Sequence, residues 1–371
     1  MINRSSGKRG LGLLAVTMVV LLLMGFTICE GAEAPKAKEL KWALFFPETA
    51  YQGPVTKKLR DDIETFTHGS VKPKLYWVGQ IAETKDLPDL CRTGAVDMAS
   101  TAPVYTTTIF PLNSALQMFP VVFKSPEQAT YTWRGLLRDF PEIQEEYAKQ
   151  NQYCLNRTCL SLYRTLSRKP IRHLADFKGV KIRTFPGKYC SEWMKSVGAI
   201  NINFPLSEIY EALMRRVGDA VVVNSQYIES LKLYEVAKYV SFEFGTIVAW
   251  QTTINLDVWN SFTPEIKEAF TRAATEFGAR DLELNLTTEN KSTEFVKQKG
   301  VQFIKIDQKE QKTFLDKGGD PWGGTGGLKD TLVNDLKVDA AVADRFIKRW
   351  RELNDEYEKR YASTGKKWEY K

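Results

Sequence analysis

Arg183 follows Val180-Lys181-Ile182 and precedes Thr184-Phe185, which puts it at the carboxyl end of a predicted strand. A guanidinium in that position has two uses. It can be a solvated strand end, or a planar fork of donors that matches both oxygens of a carboxylate and keeps its charge. Groups that would make and break bonds are scarce. The chain has two histidines, His68 beside Gly69-Ser70 and His173 after Lys169-Pro170, both in predicted loops. HExxH, CxxC, GxSxG and GxxxxGK[ST] are absent. A serine–histidine–acid triad or a histidine metal site would have to use one of these two residues. Carboxylates alone run some hydrolases, but Glu192, Glu208, Glu211 and Asp219 form no pair whose spacing reads as catalytic. The inventory argues against an enzyme and requires no metal or organic cofactor.

Two passes of one pattern must position these groups. In the first, a strand over 40–46 leads into a helix with Val55, Leu59, Ile63 and Phe66 on one face. A strand over 72–78 follows, then a short helix through Leu87, Leu90 and Cys91 that stops at Gly94, then a strand at 96–99. In the second, strands over 180–183, 200–205 and 220–223 alternate with helices near 188–197 and 207–216. Alternation of this kind predicts parallel sheets with helices on both faces and ligands at the carboxyl ends of the strands. Those ends hold Phe45 and Phe46 in one unit and Arg183, Thr184 and Phe185 in the other.

Ser125-Pro126-Glu127-Gln128 and Thr263-Pro264-Glu265 are helix starts, each a cap followed by a first-turn proline. The second predicts a helix to about residue 299, roughly 50 Å long at 1.5 Å per residue and able to cross both units. Gly318 to Gly327 reads as a turn around Trp322, and a last helix carries Trp350, Leu353, Tyr357 and Tyr361 as docking aromatics.

At the other end, Arg4, Lys8 and Arg9 precede an apolar run from Leu11 to Ile28 and the small-residue stretch Gly31-Ala32-Glu33-Ala34. That is the layout of a secretory signal peptide over residues 1–34, cut between 31 and 34. A run of roughly 18 apolar residues is also long enough for an uncleaved anchor. Ile28 before Cys29 argues against a lipoprotein cut. A net charge of +7 without a basic stripe gives no sign of nucleic-acid binding. Cys91, Cys154, Cys159 and Cys190 follow the leader, and sequence alone leaves both their pairing and free thiols open.

Several motifs then match in order: Ser167-Arg-Lys-Pro-Ile171, Asp176-Phe-Lys-Gly-Val-Lys-Ile-Arg183, Val197-Gly-Ala199, Pro205-Leu-Ser-Glu-Ile-Tyr-Glu-Ala-Leu213, Gly218-Asp219 and Leu233-Tyr-Glu-Val-Ala-Lys-Tyr239. Upstream, Gly94-Ala-Val-Asp97 and Phe119-Pro-Val-Val-Phe123 also fit. From about Leu40 to Ile306 the chain resembles the DctP-type solute-binding proteins of tripartite ATP-independent periplasmic (TRAP) transporters. The resemblance implies a two-lobed α/β periplasmic-binding-protein fold with crossing strands, a ligand cleft between the lobes and a long helix spanning both. It implies a small organic acid as ligand, held by Arg183, and TRAP membrane subunits as partners. Where the family commonly has an Asn that reaches the ligand, ungapped alignment places Val223, with Asn224 one residue on. A second contact falls on Tyr163, with Arg164 beside it and pointing to the opposite face of a strand. Phe185, Phe46 and Trp77 complete the candidates, each also readable as core.

The expected organisation is a leader (1–34), lobe I (35–160 with 249–288) and lobe II (161–248 with 289–371, including the C-terminal helices). The expected function is capture of an organic acid in the periplasm by hinge closure and delivery to a TRAP permease. A pocket with one arginine, a tyrosine and apolar walls favours a hydrophobic or aromatic monocarboxylate. The alternatives are the binding component of a sensing system, an exported enzyme, and an anchored structural protein without a small ligand.

Overall fold

The computed structural model describes residues 37–119, 122–185, 188–324, 326–366 and 368, with Met1. The expected leader cut at 31–34 lies outside them. In the first half, β1 (Lys38–Leu44), α1 (Gln52–Phe66), β2 (Val71–Tyr76), α2 (Leu87–Thr93) and β3 (Met98–Thr101) follow the predicted order. α1 buries Val55, Leu59 and Ile63, and α2 ends at Gly94 in the left-handed region at φ 76°, a backbone shape glycine adopts without strain. Three helices follow: α3 (Pro111–Met118), α4 (Pro126–Asp139) and α5 (Pro141–Lys149). The Ser125 hydroxyl accepts from the Gln128 N–H at 3.1 Å, which fixes the start of α4.

The second half contains β4 (Gln152–Ser167), β5 (Lys181–Arg183), α6 (Lys188–Ser196), β6 (Ile200–Ile202), α7 (Ile209–Met214), β7 (Ala220–Val223), α8 (Ser225–Ser230) and β8 (Tyr239–Asn255). It continues through α9 (Leu256–Asn260), α10 (Pro264–Gln298), β9 (Gln302–Phe303), α11 (Gln308–Asp316) and α12 (Ala340–Tyr357). α10 has 35 residues and starts at a Thr263 cap, as expected.

Among the described residues nine strands form one sheet, in the order β2-β1-β3-β8-β4-β7-β5-β6 with β9 on β8. The sheet is mixed, not wholly parallel as the alternation suggested. β1–β3, β5–β6, β5–β7 and β8–β9 are parallel, whereas β4 runs antiparallel to β7 and β8, and β8 antiparallel to β3. These two strands pair from Gln152↔Asn255 to Ser167↔Tyr239 and join the two halves. They carry no clean polar–apolar alternation because β4 is buried or half-buried along its whole length. The result is two α/β lobes sharing a pair of crossing strands, with α10 packed on α1, β4 and α8.

α11 closes the second half: Phe314 stacks on Phe177 at 5.3 Å and packs against Trp193 at 4.7 Å. α12 docks elsewhere. Arg349 pairs with Asp139 at 2.6 Å, Arg345 pairs with Glu142, and Phe346 meets Phe140 at 5.6 Å. The last helix is therefore attached to α4 and α5, elements that the expected division assigns to lobe I. Trp350, Leu353 and Tyr357 are among its buried residues, in keeping with the docking role expected of them. Trp322 of the glycine-rich turn packs edge-on to Trp350.

Candidate functional site

β5 ends at Arg183, whose main chain pairs with Ile202 on one side and Val221 on the other. Its side chain is only 2% exposed. The guanidinium donates from Nε to the Phe204 carbonyl at 3.3 Å and from Nη2 to the Tyr105 hydroxyl at 3.4 Å. Both bonds are long and both partners are neutral. Among the described residues no carboxylate lies within ion-pair distance of Arg183.

Arg183 borders a cavity of about 10 Å³, room for about one water molecule. Tyr105, Tyr163 and Tyr227 share the wall with it, and Phe45, Leu160, Val222, Val223 and Val248 make the rest largely apolar. Tyr105 comes from the turn after β3, Tyr163 from β4 and Tyr227 from the first turn of α8. Gln52, at the start of α1, donates to the Tyr227 hydroxyl at 3.0 Å. Burial pushes the hydroxyls of Tyr163 and Tyr227 well above the usual tyrosine range, so both stay protonated and able to donate. The arrangement is one permanent cation, a ring of hydroxyls and apolar walls. It can hold an anion but offers no nucleophile–base pair.

The sequence candidates divide as follows. Arg183, Tyr163 and Val223 line the cavity together. Phe185 packs edge-on to Tyr163 at 5.1 Å and supports it. The Asn224 side chain accepts from the Tyr227 N–H at 3.0 Å and so caps α8, while Val223 provides the wall. Phe46 is core, 5.2 Å from Trp250, and the adjacent Phe45 faces the cavity. Half-buried Trp77 lies under Lys57, outside the cavity wall. Arg164 points away from Tyr163, to Glu243 at 3.0 Å and Glu289 at 3.5 Å. A wider groove of about 630 Å³ borders those residues, but its arginine is already paired.

The histidines sit elsewhere. His68 is in the turn after α1 and His173 caps the short helix at Leu174–Phe177. Cys91, Cys154 and Cys159 are separate buried thiols, pushed by burial up to about 12, 11 and 12. Sequence reasoning missed Tyr105, Tyr227 and Gln52. The rule that ligands gather at carboxyl strand ends, applied to β3 and β7 as well as β1 and β5, points to the first two.

Fold and cavity together define a two-lobed solute-binding protein. Residues 44–322 match the profile of the DctP family, described as bacterial extracellular solute-binding protein, family 7. The chain belongs to that family. Among its relatives, the 2,3-diketo-L-gulonate-binding periplasmic protein YiaO of Escherichia coli is 26% identical over 304 residues, covering 81% of this chain and 88% of that protein. The sialic acid-binding periplasmic protein SiaP of Vibrio cholerae is 22% identical over 277 residues, covering 74% and 85%. In fold the chain is similar to DctP7 of Bordetella pertussis, a receptor binding pyroglutamic acid (TM-score 0.74, 16% identity, 85% of this chain and 100% of that one). It is equally similar to a TRAP solute-binding protein of Chromohalobacter salexigens with bound D-glucuronate (TM-score 0.74, 19% identity, 85% and 99%).

Proposed function

We propose that this protein is a periplasmic receptor that captures a small organic acid through Arg183, closes its lobes over it and delivers it to a TRAP membrane permease. One observation carries the reading: a guanidinium 2% exposed that has no carboxylate partner among the described residues. Leaving a buried cation without a counter-ion costs several kcal/mol, and the carboxylate of a ligand would remove that cost. Tyr105, Tyr163 and Tyr227 would complete its solvation. The acids named for the relatives support the ligand class, and the apolar wall at Val223 supports a monocarboxylate with a hydrophobic or aromatic body. Tyr105 lies in the first half and Arg183 in the second, so an acid between them would favour the closed form by population shift.

The lobes divide near residues 160 and 248, a reading supported by the register shifts between Cys159 and Leu166 on β4. α12 moves with the first lobe, whose helices it covers.

The test is native mass spectrometry of the purified protein, followed by a thermal-shift screen of organic acids on wild type and Arg183→Met. An acid that stabilises the wild type strongly and the variant barely supports the reading. Equal responses, or none, overturn Arg183 as the anchor.

A further inference from the structure

Asp281 lies midway along α10, is fully buried, and neither carboxylate oxygen has a hydrogen-bond partner among the described residues. It belongs to a polar stripe at every fourth position, the buried Asp281 and Asn285 and the half-buried Glu289. Asn285 accepts from Ser161 at 2.8 Å and Gln226 at 2.9 Å and donates to the Cys159 carbonyl at 2.6 Å. Glu289 accepts from the Ser225 N–H at 3.2 Å and from Arg164 at 3.5 Å. Among the described residues no cation pairs with Asp281. Its neighbour Arg280 turns to Asp62 on α1 and to Glu276. The groups that do face Asp281 are the Tyr51 hydroxyl ahead of α1, and Thr158 and the Cys159 thiol on β4; Trp250 of β8 packs on Phe277 one turn away. None is positive. A lone carboxylate in such surroundings is far less stable than the neutral acid, and burial pushes this one up to about 7.

Tyr51, directly before Gln52 at the start of α1, connects this carboxyl to the tyrosines of the cavity. Its hydroxyl is in electrostatic range of Asp281 and also of Tyr163 and Tyr227, and the next residue, Gln52, bonds to Tyr227. We propose that Asp281 is a proton-binding site behind the cavity, occupied when the cavity holds an anion, so that capture of the acid takes up a proton. This rests on the acid-capture reading above. Two negative charges sharing a low-dielectric interior repel. By linkage, a bound anion strengthens proton binding at Asp281 by the same factor as the proton strengthens anion binding.

The probes are pyroglutamate and benzoate, a small aromatic monocarboxylate, titrated calorimetrically at about pH 6 and about pH 8.5 into the full-length protein and its Asp281→Asn variant. The Asp281 carboxyl carbon is followed by NMR in the ligand-free wild type. Wild-type affinity is expected to fall about tenfold across that range, with proton uptake read from buffers of different ionisation enthalpy, while Asp281→Asn stays flat. Thr158→Val keeps the carboxyl, removes the hydroxyl facing it from β4, and moves the midpoint upward. The same pH dependence in wild type and Asp281→Asn overturns the proposal. Binding of neither probe counts against acid capture and against any coupling to it. The carboxyl carbon then judges the proton site alone: titration near 7 supports it, and titration near 4 removes it.

Discussion

Gln52 and Tyr227 are 175 positions apart and joined by a 3.0 Å hydrogen bond, in which the amide of one half donates to the phenol of the other. Together with the 3.4 Å contact between Arg183 and Tyr105 it ties the two halves together across the cavity. Gln52→Met keeps the volume and removes the bond, worth about 0.5–1.5 kcal/mol. The variant is expected to bind its acid about 3- to 10-fold more weakly and to show a larger radius of gyration without ligand in solution scattering. An unchanged radius and affinity would mean that the bond does not hold the halves together.

Arg183→Lys keeps the charge but loses the planar fork. Affinity is expected to fall by about tenfold or more, because an ammonium cannot meet both carboxylate oxygens and reach Tyr105 at once. Full retention of affinity would reduce the anchor to simple charge attraction.

Val223→Asn places an amide in an apolar wall. An amide buried without a partner costs about 1–3 kcal/mol, so affinity for aromatic monocarboxylates is expected to drop while that for hydroxylated acids holds or rises. A wild type that already prefers dicarboxylates under matched conditions would contradict the apolar-wall reading.

A Cβ on Gly135 of α4 would meet the Leu353 Cδ2 at 2.5 Å. Gly135→Ala is expected to destabilise the protein by about 1–3 kcal/mol, read as a lowered melting temperature, with partial rescue by Leu353→Ala. No loss would show that α12 does not dock tightly on α4.

Asp281 also sets a pH dependence of stability. Its folded-state value, about 7, lies above the ordinary carboxylate value near 3.9. Its contribution is fully present below about pH 4, falls as pH rises towards 7, and is constant above. Measured against Asp281→Asn, wild-type melting temperature should decline between about pH 4 and 7 and run parallel beyond. Parallel curves throughout would show a carboxyl with an ordinary value.

Much of this arrangement was readable from residue order. Gly94 as a helix stop, Ser125 and Thr263 as caps, and Arg183 at a strand end each follow from local chemistry, and each stands where expected. The crossing strands were not readable from periodicity, because β4 is covered on both faces and its register shifts between Cys159 and Leu166 erase the alternation that marks a one-sided strand. Phe46 and Phe45 exchange roles because they sit in the bend after β1, where strand alternation no longer applies: their rings pack on each other at 5.1 Å, and Phe45 reaches the cavity wall. Gln52 and Tyr227 meet only in three dimensions. Nothing local in Tyr51-Gln52-Gly53 signals a partner on α8.

The stripe of Asp281, Asn285 and Glu289 has a bearing on the empty receptor as well. Under the proposed lobe closure, the contacts of this stripe with β4 and α8 would be wetted on opening, and greasy residues there would leave a sticky seam on an unloaded molecule. Carboxyl and amide groups hydrate readily instead. α10 can thus serve as a backbone for both halves without giving neighbouring molecules a surface on which to clump.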